Sequence, residues 1–143
     1  MQAIQFSEHG DRDVIDYDGY ADPEPDRDEV MVDVKAAALN HLDVFSWMGL
    51  GALSQLDHDF PHISGSDAAG VVTEVGADVA RFEPGNRVAV SAGVACETCE
   101  FCRDGEETLC VDYHLLGEHV LSVHSEFTAV PERQLVPVSD GVD

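Results

Sequence analysis

The four cysteines of the sequence lie within one short window, where they could hold a metal ion. Cys96, Cys99 and Cys102 are separated by two residues each, and Cys110 follows after seven more. Zn²⁺ prefers four thiolates at the corners of a tetrahedron, and two-residue gaps let neighbouring sulfur atoms converge on one ion. The spacing therefore predicts one structural zinc ion per chain, held by a loop lobe at about residues 94–112.

Two other uses of clustered cysteines are disfavoured. Disulfides persist in secreted proteins, but the N-terminal segment MQAIQFSE lacks the basic flank and the apolar stretch of a signal peptide. A bacterial-type iron–sulfur motif closes with a cysteine after three residues and then a proline, whereas here the last gap is seven residues and Val111 follows Cys110. With four protein ligands the zinc site would be closed, so we expect it to stabilise the lobe without doing chemistry.

Short strands separated by turns must position this lobe. Residues 29–36 alternate, which places Val30, Val32 and Val34 on one face and Met31, Asp33 and Lys35 on the other. Similar apolar or β-branched runs, punctuated by Gly and Pro, predict further strands at 70–76, 86–91, 127–130 and 134–138. A helix is predicted only at His41–Met48, with Asn40 as its N-cap. The pattern indicates a mainly β fold, either a barrel or a sandwich.

The charge of the chain excludes several partners. The 143 residues carry 7 Lys+Arg against 29 Asp+Glu, a formal net charge of −22, and 44% are hydrophobic. Phosphate backbones and anionic membranes are bound by clustered cations, so we expect neither nucleic acid nor membrane as a partner. No apolar run reaches the roughly 20 residues that span a bilayer, which favours a cytoplasmic location. Acids spread along a chain with one lysine favour a halophilic protein, because salt screens their mutual repulsion.

Four stretches of the sequence together resemble the N-terminal, GroES-like domain of the medium-chain dehydrogenase/reductase family, of the zinc-binding, alcohol dehydrogenase-like type. They are AALNHLDV at 37–44, PHISGSDAAGVVTEVG at 61–76, PGNRV at 84–88 and the cysteine lobe at 96–110, and EFTAVP at 126–131 extends the match. Asn86 stands where the family's Gly-Asp-Arg-Val turn usually has Asp. The order and spacing of these motifs are specific, and they cover nearly the whole chain.

The resemblance implies a fold and a place in a larger enzyme. The fold would be a partly open β-barrel with short helices and a zinc-binding loop lobe, with residues 1–143 forming the N-terminal catalytic domain. Enzymes of this family continue into a Rossmann domain that binds NAD(P), but these residues contain no Gly-x-Gly-x-x-Gly motif after a strand. NAD(P)H is therefore expected only together with that further domain, and we expect the 143 residues alone to be inactive.

Departures from the family pattern matter for the reaction. Zinc alcohol dehydrogenases of this family carry a second, catalytic zinc, but Asn40 and Ser66 stand at two of its ligand positions and neither is a usual zinc ligand. Leu42 stands where alcohol-oxidising members relay a proton through a hydroxyl, which an apolar side chain cannot do. Asn40 resembles the quinone- and enone-reductase branch, where carbonyl polarisation would come from hydrogen-bond donors and the hydride from NADPH. Trp47 stands where that branch often has Arg.

The resemblance also nominates site residues, each with a structural alternative. The candidate catalytic residues are Asn40, Asp43, Ser66 and Asp67, and His41 is a candidate contact to the cofactor. Helix capping would also explain Asn40 and Asp43, and a turn held by side-chain hydrogen bonds would explain Ser66 and Asp67. We expect Phe45, Trp47 and Met48 to pack in the core or to line a substrate wall.

Other histidines give weaker signals. His58 and His62 are four residues apart, but Pro61 breaks a helix there, so we expect loop residues near the substrate entrance and no metal. The histidines after the cysteines show no ligand-like grouping and are predicted to lie on the surface: His114, His119 and His124.

Three functions remain open from the sequence. The leading hypothesis is the N-terminal domain of a zinc-stabilised quinone, enone or carbonyl reductase that uses NAD(P)H, lacks the catalytic zinc and acts on a small-molecule carbonyl. The second is an alcohol dehydrogenase whose catalytic metal uses unusual ligands such as His41, Asp43 or Asp67. The third is a stand-alone zinc-binding interaction module. An exposed apolar face would also permit a homodimer.

Overall fold

The computed structural model describes residues 1–50, 60–119 and 123–142. Its strands are β1 (Gln2–Phe6), β2 (Ile15–Gly19), β3 (Glu29–Ala37), β4 (His62–Ile63), β5 (Ala68–Val75), β6 (Arg87–Val90), β7 (Gly93–Val94), β8 (His114–Leu115), β9 (Phe127–Pro131) and β10 (Leu135–Pro137). The two α-helices are α1 (His41–Met48) and α2 (Glu100–Arg103). Short 3-10 turns cover Arg12–Val14, Glu107–Leu109 and Glu132–Gln134. The mainly β expectation is confirmed.

Three sheets make up the β structure. Five antiparallel strands form the main sheet in the order β10-β6-β5-β3-β9, a smaller sheet has the order β2-β1-β4, and β7 pairs with β8. β3 carries register shifts at Met31/Val32 and at Val34/Ala36 where it pairs with β5. Shifts of this kind increase the local bend and twist of a strand, so they curl the sheet around its core.

The core lies on one face of this curled sheet. It includes Val30 and Val32 from β3, Val72 from β5, Val88 from β6 and Val130 from β9, all at most 1% exposed. Val34 is only half-buried, and Met31 is buried although the alternation placed it on the outer face. The register shift between Met31 and Val32 interrupts the simple alternation of faces there. The valine face is thus confirmed at its first two positions.

The predicted elements differ from the observed ones mainly at their ends, but six observed elements were not predicted: β1, β2, β4, β7, β8 and α2. The helix at His41–Met48 has the bounds that the sequence predicts. Four predicted strands match β3, β5, β6 and β9 within two residues. The fifth, predicted at 134–138, is shorter, because Glu132–Gln134 form a 3-10 turn and β10 begins only at Leu135. No helix among the described residues is long and apolar enough to cross a membrane.

The ends of two neighbouring strands of the main sheet position the site that the sequence nominates. β3 and β5 are antiparallel, and Ala37 at the end of β3 pairs with Ala68 at the start of β5. The segment that leaves β3 and the segment that enters β5 therefore meet at one end of these strands. There the Ala38 N–H donates to the Asp67 carbonyl at 3.0 Å. The first segment leads into α1, and the second contains Ser66 and Asp67.

Candidate metal centre and neighbouring cleft

The four cysteine sulfurs converge on one point. Their Sγ atoms all lie within 4.8 Å of one another, and none of the cysteines is in a disulfide. Cys99 and Cys102 have their sulfurs 3.4 Å apart, and those of Cys96 and Cys102 are 3.9 Å apart. Zn–S bonds of about 2.3 Å in a tetrahedron place sulfurs about 3.8 Å apart. The spacing suits a zinc ion and is far too long for S–S bonds.

Short local elements set this geometry. Cys99 is the N-cap of α2, and Cys102 lies within that single turn, so the turn brings the two sulfurs together. Cys110 ends the 3-10 turn Glu107–Leu109 and is buried. Between the first two cysteines, Glu97 adopts a positive φ of 60°. The lobe therefore consists of tight turns rather than of regular structure with its own core.

Backbone N–H groups point at the sulfurs. The Cys110 sulfur accepts from the N–H groups of Cys96 at 3.2 Å and Asp112 at 3.4 Å. The Cys96 sulfur accepts from the Cys99 N–H at 3.4 Å and from the Thr98 hydroxyl at 3.6 Å. Such donors stabilise thiolates, the form in which cysteine binds metal. The donors therefore favour the thiolate form at Cys96 and Cys110.

Without a cation the four sulfurs compete for protons. The Thr98 hydroxyl, followed by backbone N–H groups, lowers the pKa of Cys96 to about 6. Desolvation, followed by the neighbouring sulfurs, raises the pKa of Cys102 to about 12. A tetrahedral set of thiols, some already prone to ionise, fits a divalent ion that neutralises them. The four cysteines form the structural zinc site that their spacing predicts.

Asn40 is held between two carboxylates at the corner after β3. Its backbone N–H donates to the Asp43 carboxylate at 2.7 Å, and its side-chain Nδ2 donates to Asp67 Oδ2, also at 2.7 Å. The second bond crosses from the β3 end to the β5 start. The structure thus brings together three of the four candidate catalytic residues, Asn40, Asp43 and Asp67.

Asp43 is the buried member of this group. It is 2% exposed, and it occupies the first turn of α1, where a carboxylate is stabilised by the N-terminal N–H groups of a helix. Its bond to the Asn40 N–H is the backward half of a capping box. The capping explanation of Asp43 is therefore supported, and a role in chemistry stays a prediction.

Ser66 makes its side-chain hydrogen bond outside the Asn40–Asp67 pair. It is 5% exposed, and its hydroxyl donates to the Leu116 carbonyl at 2.8 Å. This bond fastens the β4–β5 segment to the turn that follows β8. The side chain at a position where the resemblance implies a metal ligand is therefore engaged with backbone.

His41 is the first residue of α1 and is exposed. Its ring lies 6.4 Å from that of Phe45, one turn later. Phe45 and Met48 are 43% and 38% exposed, and Trp47 is half-buried. Residues 36–38, 67–69 and 89–90 line an open groove of about 390 Å³ beside Asp67. Alanines make up most of this groove, which lies next to the Asn40–Asp67 pair.

Glu118 is a residue that sequence reasoning missed. It is 4% exposed, and its Oε1 atom is buried without a hydrogen-bond partner in the described part of the chain. Desolvation raises the pKa of Glu118, and the negative charge of Asp43 raises it further. A carboxyl of this kind stays protonated to higher pH than an exposed glutamate. The preceding residue, Gly117, indicates close packing at this turn, because a Cβ atom added there would lie 2.4 Å from the Gly65 carbonyl oxygen.

Two histidine expectations are wrong. His62 lies in β4 rather than in a loop and is 3% exposed, because it packs edge-on against Phe6 at 5.3 Å. Desolvation lowers the pKa of His62, although a hydrogen bond to the Gly117 carbonyl at 3.0 Å opposes the shift. His124 was expected on the surface but is 6% exposed, because it bonds to backbone and to Ser64. His58 lies outside the described residues.

Comparison with known proteins places the chain in a family. The pattern of the alcohol dehydrogenase GroES-like domain matches residues 26–140. An alcohol dehydrogenase of Schizosaccharomyces pombe is 35% identical over 116 residues, which cover 80% of this chain and 32% of that enzyme. A solved NAD-dependent alcohol dehydrogenase superposes with a TM-score of 0.90 at 40% identity, over 96% of this chain and 39% of that one. A thermostable alcohol dehydrogenase from Pyrobaculum aerophilum with bound cobalt and zinc superposes with a TM-score of 0.89 at 29% identity, over 98% of this chain and 42% of that one. The chain spans about a third of the length of the curated relative, its GroES-like fold is confirmed, and it belongs to the alcohol dehydrogenase GroES-like domain family.

Proposed function

We propose that this chain is the N-terminal catalytic domain, residues 1–143, of an NAD(P)H-dependent reductase of small-molecule carbonyl compounds, quinones or conjugated enones. In this proposal the cysteine zinc is structural and there is no catalytic zinc. The full enzyme adds a cofactor domain, and its bound nicotinamide supplies the hydride. The residues of this chain bind and orient the substrate.

One observation carries the proposal: the side chains of Asn40 and Ser66 act as hydrogen-bond donors to other protein groups. These are the two positions at which the resemblance implies metal ligands. The Asn40 amide donates to Asp67, and the Ser66 hydroxyl donates to Leu116. Neither side chain offers a strong ligand atom for Zn²⁺, which prefers thiolate, imidazole and carboxylate.

The Asn40–Asp67 bond also suits a carbonyl substrate. A carboxylate only accepts hydrogen bonds, so it fixes which end of the Asn40 amide carries nitrogen. The same NH₂ group has a second N–H, and we propose that it donates to the substrate oxygen as negative charge develops there. The Asp67 charge polarises the amide and so strengthens it as a donor. The groove beside Asp67 gives a substrate access to this edge.

His41 has a secondary part in the proposal. It lies at the N-terminus of α1 with an exposed ring, where helix N–H groups already favour anions. We propose that it contacts a phosphate of the cofactor. Leu42 offers no hydroxyl to relay a proton, so proton delivery in this site would come from water or from a cofactor hydroxyl.

The test uses the full-length protein that contains this chain. We expect one zinc per chain by metal analysis and NAD(P)H oxidation on addition of an enone, quinone or aldehyde. N40A should lower kcat for the reduction by about 100-fold, the usual loss for one donor to a developing oxyanion. The matched control is N86A, because the side chain of Asn86 accepts a turn hydrogen bond from the Glu83 N–H and takes no part in the Asn40–Asp67 pair. Two zinc ions per chain together with alcohol oxidation would refute the proposal.

Alcohol oxidation is the second candidate, because relatives of this chain include alcohol dehydrogenases. It would need a metal held by residues such as His41, Asp43 or Asp67. Within residues 1–50, 60–119 and 123–142, the four cysteines are the only group of three or more metal-ligating side chains whose ligand atoms converge. Metal analysis of the full protein separates the two functions.

We also propose that the protein is a cytoplasmic homodimer. Exposed apolar side chains near α1 support the association, notably Leu39 at 76% and Phe45 at 43%. Sedimentation velocity at high salt tests it: a monomer across the micromolar range would refute this part alone.

A further inference from the structure

His124 joins three segments of the chain at a buried point behind the candidate site. Its backbone N–H donates to the Ser64 carbonyl at 3.1 Å, and its carbonyl accepts from the Ile4 N–H at 2.8 Å. Its ring makes two further bonds, from Nδ1 to the Ser64 hydroxyl at 3.3 Å and from Nε2 to the Ala38 carbonyl at 3.2 Å. The residue is 6% exposed, and the bond between Nδ1 and Ser64 is buried.

The partners of the ring define which of its nitrogens carries the hydrogen in the neutral form. A carbonyl oxygen only accepts, so the Nε2 atom that faces Ala38 carries the hydrogen and donates. In the neutral imidazole the other nitrogen then has a lone pair, and it accepts from the Ser64 hydroxyl. The ring is therefore fixed in one tautomer and one orientation.

These two bonds tie together the two segments that carry the site. Ala38 lies two residues before Asn40, and Ser64 lies three residues before Asp67. A direct bond also joins the segments, from the Ala38 N–H to the Asp67 carbonyl at 3.0 Å. The ring of His124 therefore provides a second link between the two segments, in addition to this backbone bond.

The chain leaves room for the ring at a single glycine. Gly65 has a φ of 102°, and a Cβ atom added there would lie 2.5 Å from Cδ2 of His124. The imidazole therefore packs against bare backbone between Ser64 and Ser66. Nearly any larger residue at 65 would push the ring away from Ala38 or from Ser64.

We propose that His124 is a positioning residue: its ring sets the separation of the Ala38–Asn40 corner and the Ser64–Asp67 segment, and thereby the hydrogen bond from Asn40 to Asp67. The inference rests on the proposed function only in treating that hydrogen bond as part of a reactive site. The geometric claim concerns the zinc-loaded chain alone. It can hold when the reductase assay fails, and it can fail when that assay succeeds.

The first test needs no substitution. Long-range ¹H–¹⁵N spectra of the zinc-loaded chain report the tautomer of each histidine. We expect His124 to carry its hydrogen on Nε2, with the Nδ1 resonance of an unprotonated nitrogen. A spectrum that shows the hydrogen on Nδ1 would overturn the proposal, because Nε2 could not then donate to Ala38.

The second test uses two substitutions that each keep one half of the ring's hydrogen bonding. In H124Q the side-chain amide nitrogen reaches the position of Nε2 and can still donate to Ala38. In H124N the shorter side chain reaches only the position of Nδ1. The reporter is the side-chain amide of Asn40, whose hydrogen donated to Asp67 gives its own ¹H–¹⁵N signal.

We expect H124Q to keep the Asn40 amide signals near their wild-type positions and H124N to displace them. A general loss of packing would instead move signals throughout the core in both variants, including those of Val88 and Leu135. Unchanged Asn40 signals in a folded H124N variant would overturn the proposal, as would equal displacement in both variants. If H124N does not fold, the tautomer measurement on the wild-type chain decides.

Discussion

The side-chain amide of Asn40 lies 2.7 Å from the carboxylate of Asp67, across the edge where β3 ends and β5 begins. The two residues are far apart in sequence, and the antiparallel pairing of Ala37 with Ala68 brings them together. Asn40 also donates its backbone N–H to Asp43, so both its main chain and its side chain are held by carboxylates. A polar pair with a set orientation at an open groove is what a site for a polar substrate group requires.

The first prediction measures this pair without any assay of activity. N40A, D67A and the double variant form a cycle in which we expect a coupling free energy of about 1 kcal/mol, since the bond is charge-assisted but Asp67 is exposed. Denaturant unfolding of the zinc-loaded chain gives the values. N86A, at the turn that pairs with Val72, should add to D67A without coupling. A cycle that closes at zero would mean that the bond does not form in solution.

The second prediction concerns the zinc. C110S removes the buried thiolate that accepts two backbone N–H groups, so we expect zinc binding to be lost. The free energy of unfolding should fall by several kcal/mol, because structural zinc binding, on the order of 10 kcal/mol in small domains, is folding free energy. Metal analysis and thermal unfolding with and without a chelator measure both effects. V111A, at an exposed neighbour, is the control and should keep one zinc.

Local pattern predicted much of this structure. The cysteine spacing predicted the convergence of the four sulfurs, since two-residue gaps leave little freedom. Helix α1 was predicted to the residue, because the Asn40 cap and the Gly49 end are both local signals. Strands were predicted where β-branched residues alternate, and β10 was overextended because a 3-10 turn after Pro131 carries no periodic signal.

The missed residues have long-range partners. His124 was expected on the surface, but its bonds reach Ser64 and Ala38, which are distant in sequence. Glu118 is buried within electrostatic range of Asp43, and nothing in the neighbouring sequence marks a buried acid. Two glycines could have indicated this packing. Gly65 and Gly117 both have a positive φ, and a Cβ atom added at Gly117 would clash with the backbone of Gly65. Such contacts come from tertiary packing, which single-sequence patterns do not encode.

The third prediction concerns strain in the cysteine lobe. Glu97 has a φ of 60°, a left-handed conformation that costs a non-glycine residue about 1 kcal/mol. E97G should therefore raise the free energy of unfolding by up to about 1 kcal/mol and leave one zinc bound. E100G is the matched control, since Glu100 starts α2 and glycine there should destabilise by about 0.5–1 kcal/mol. Equal destabilisation by both substitutions would contradict the left-handed geometry.

The fourth prediction is a pH dependence from Glu118. Desolvation and then Asp43 raise its pKa in the folded chain above the ordinary value of 4.5. The unfolded chain therefore releases the proton first, and stability is lost as pH rises from that value through the folded pKa.

E118Q should remove the loss of stability that ionisation of Glu118 causes as pH rises. Its melting temperature relative to the wild type should climb as pH rises above about 4.5, because the amide stays neutral while the wild-type carboxyl ionises. The absolute offset depends on how the amide packs, so the slope with pH is the quantity to compare. E74Q, at an exposed position of β5, should show no such slope. A flat difference for E118Q would mean that Glu118 titrates as an exposed glutamate does.

The fifth prediction concerns salt. With 29 acidic and 7 basic side chains, the chain carries a formal charge of −22. Among the described residues only three ion pairs involve Lys or Arg, namely those that Arg27, Lys35 and Arg133 make with aspartates. Most carboxylates therefore repel one another without a nearby cation, and the repulsion falls as salt shortens the Debye length from about 10 Å at 0.1 M to about 3 Å at 1 M.

We expect the melting temperature to rise steeply from 0.1 M to 1 M KCl and to rise further in 2–3 M KCl only through effects other than screening. The same titration with NaCl is the control, because screening does not distinguish the two cations. A melting temperature indifferent to KCl over the whole range would remove the case for a salt-adapted protein.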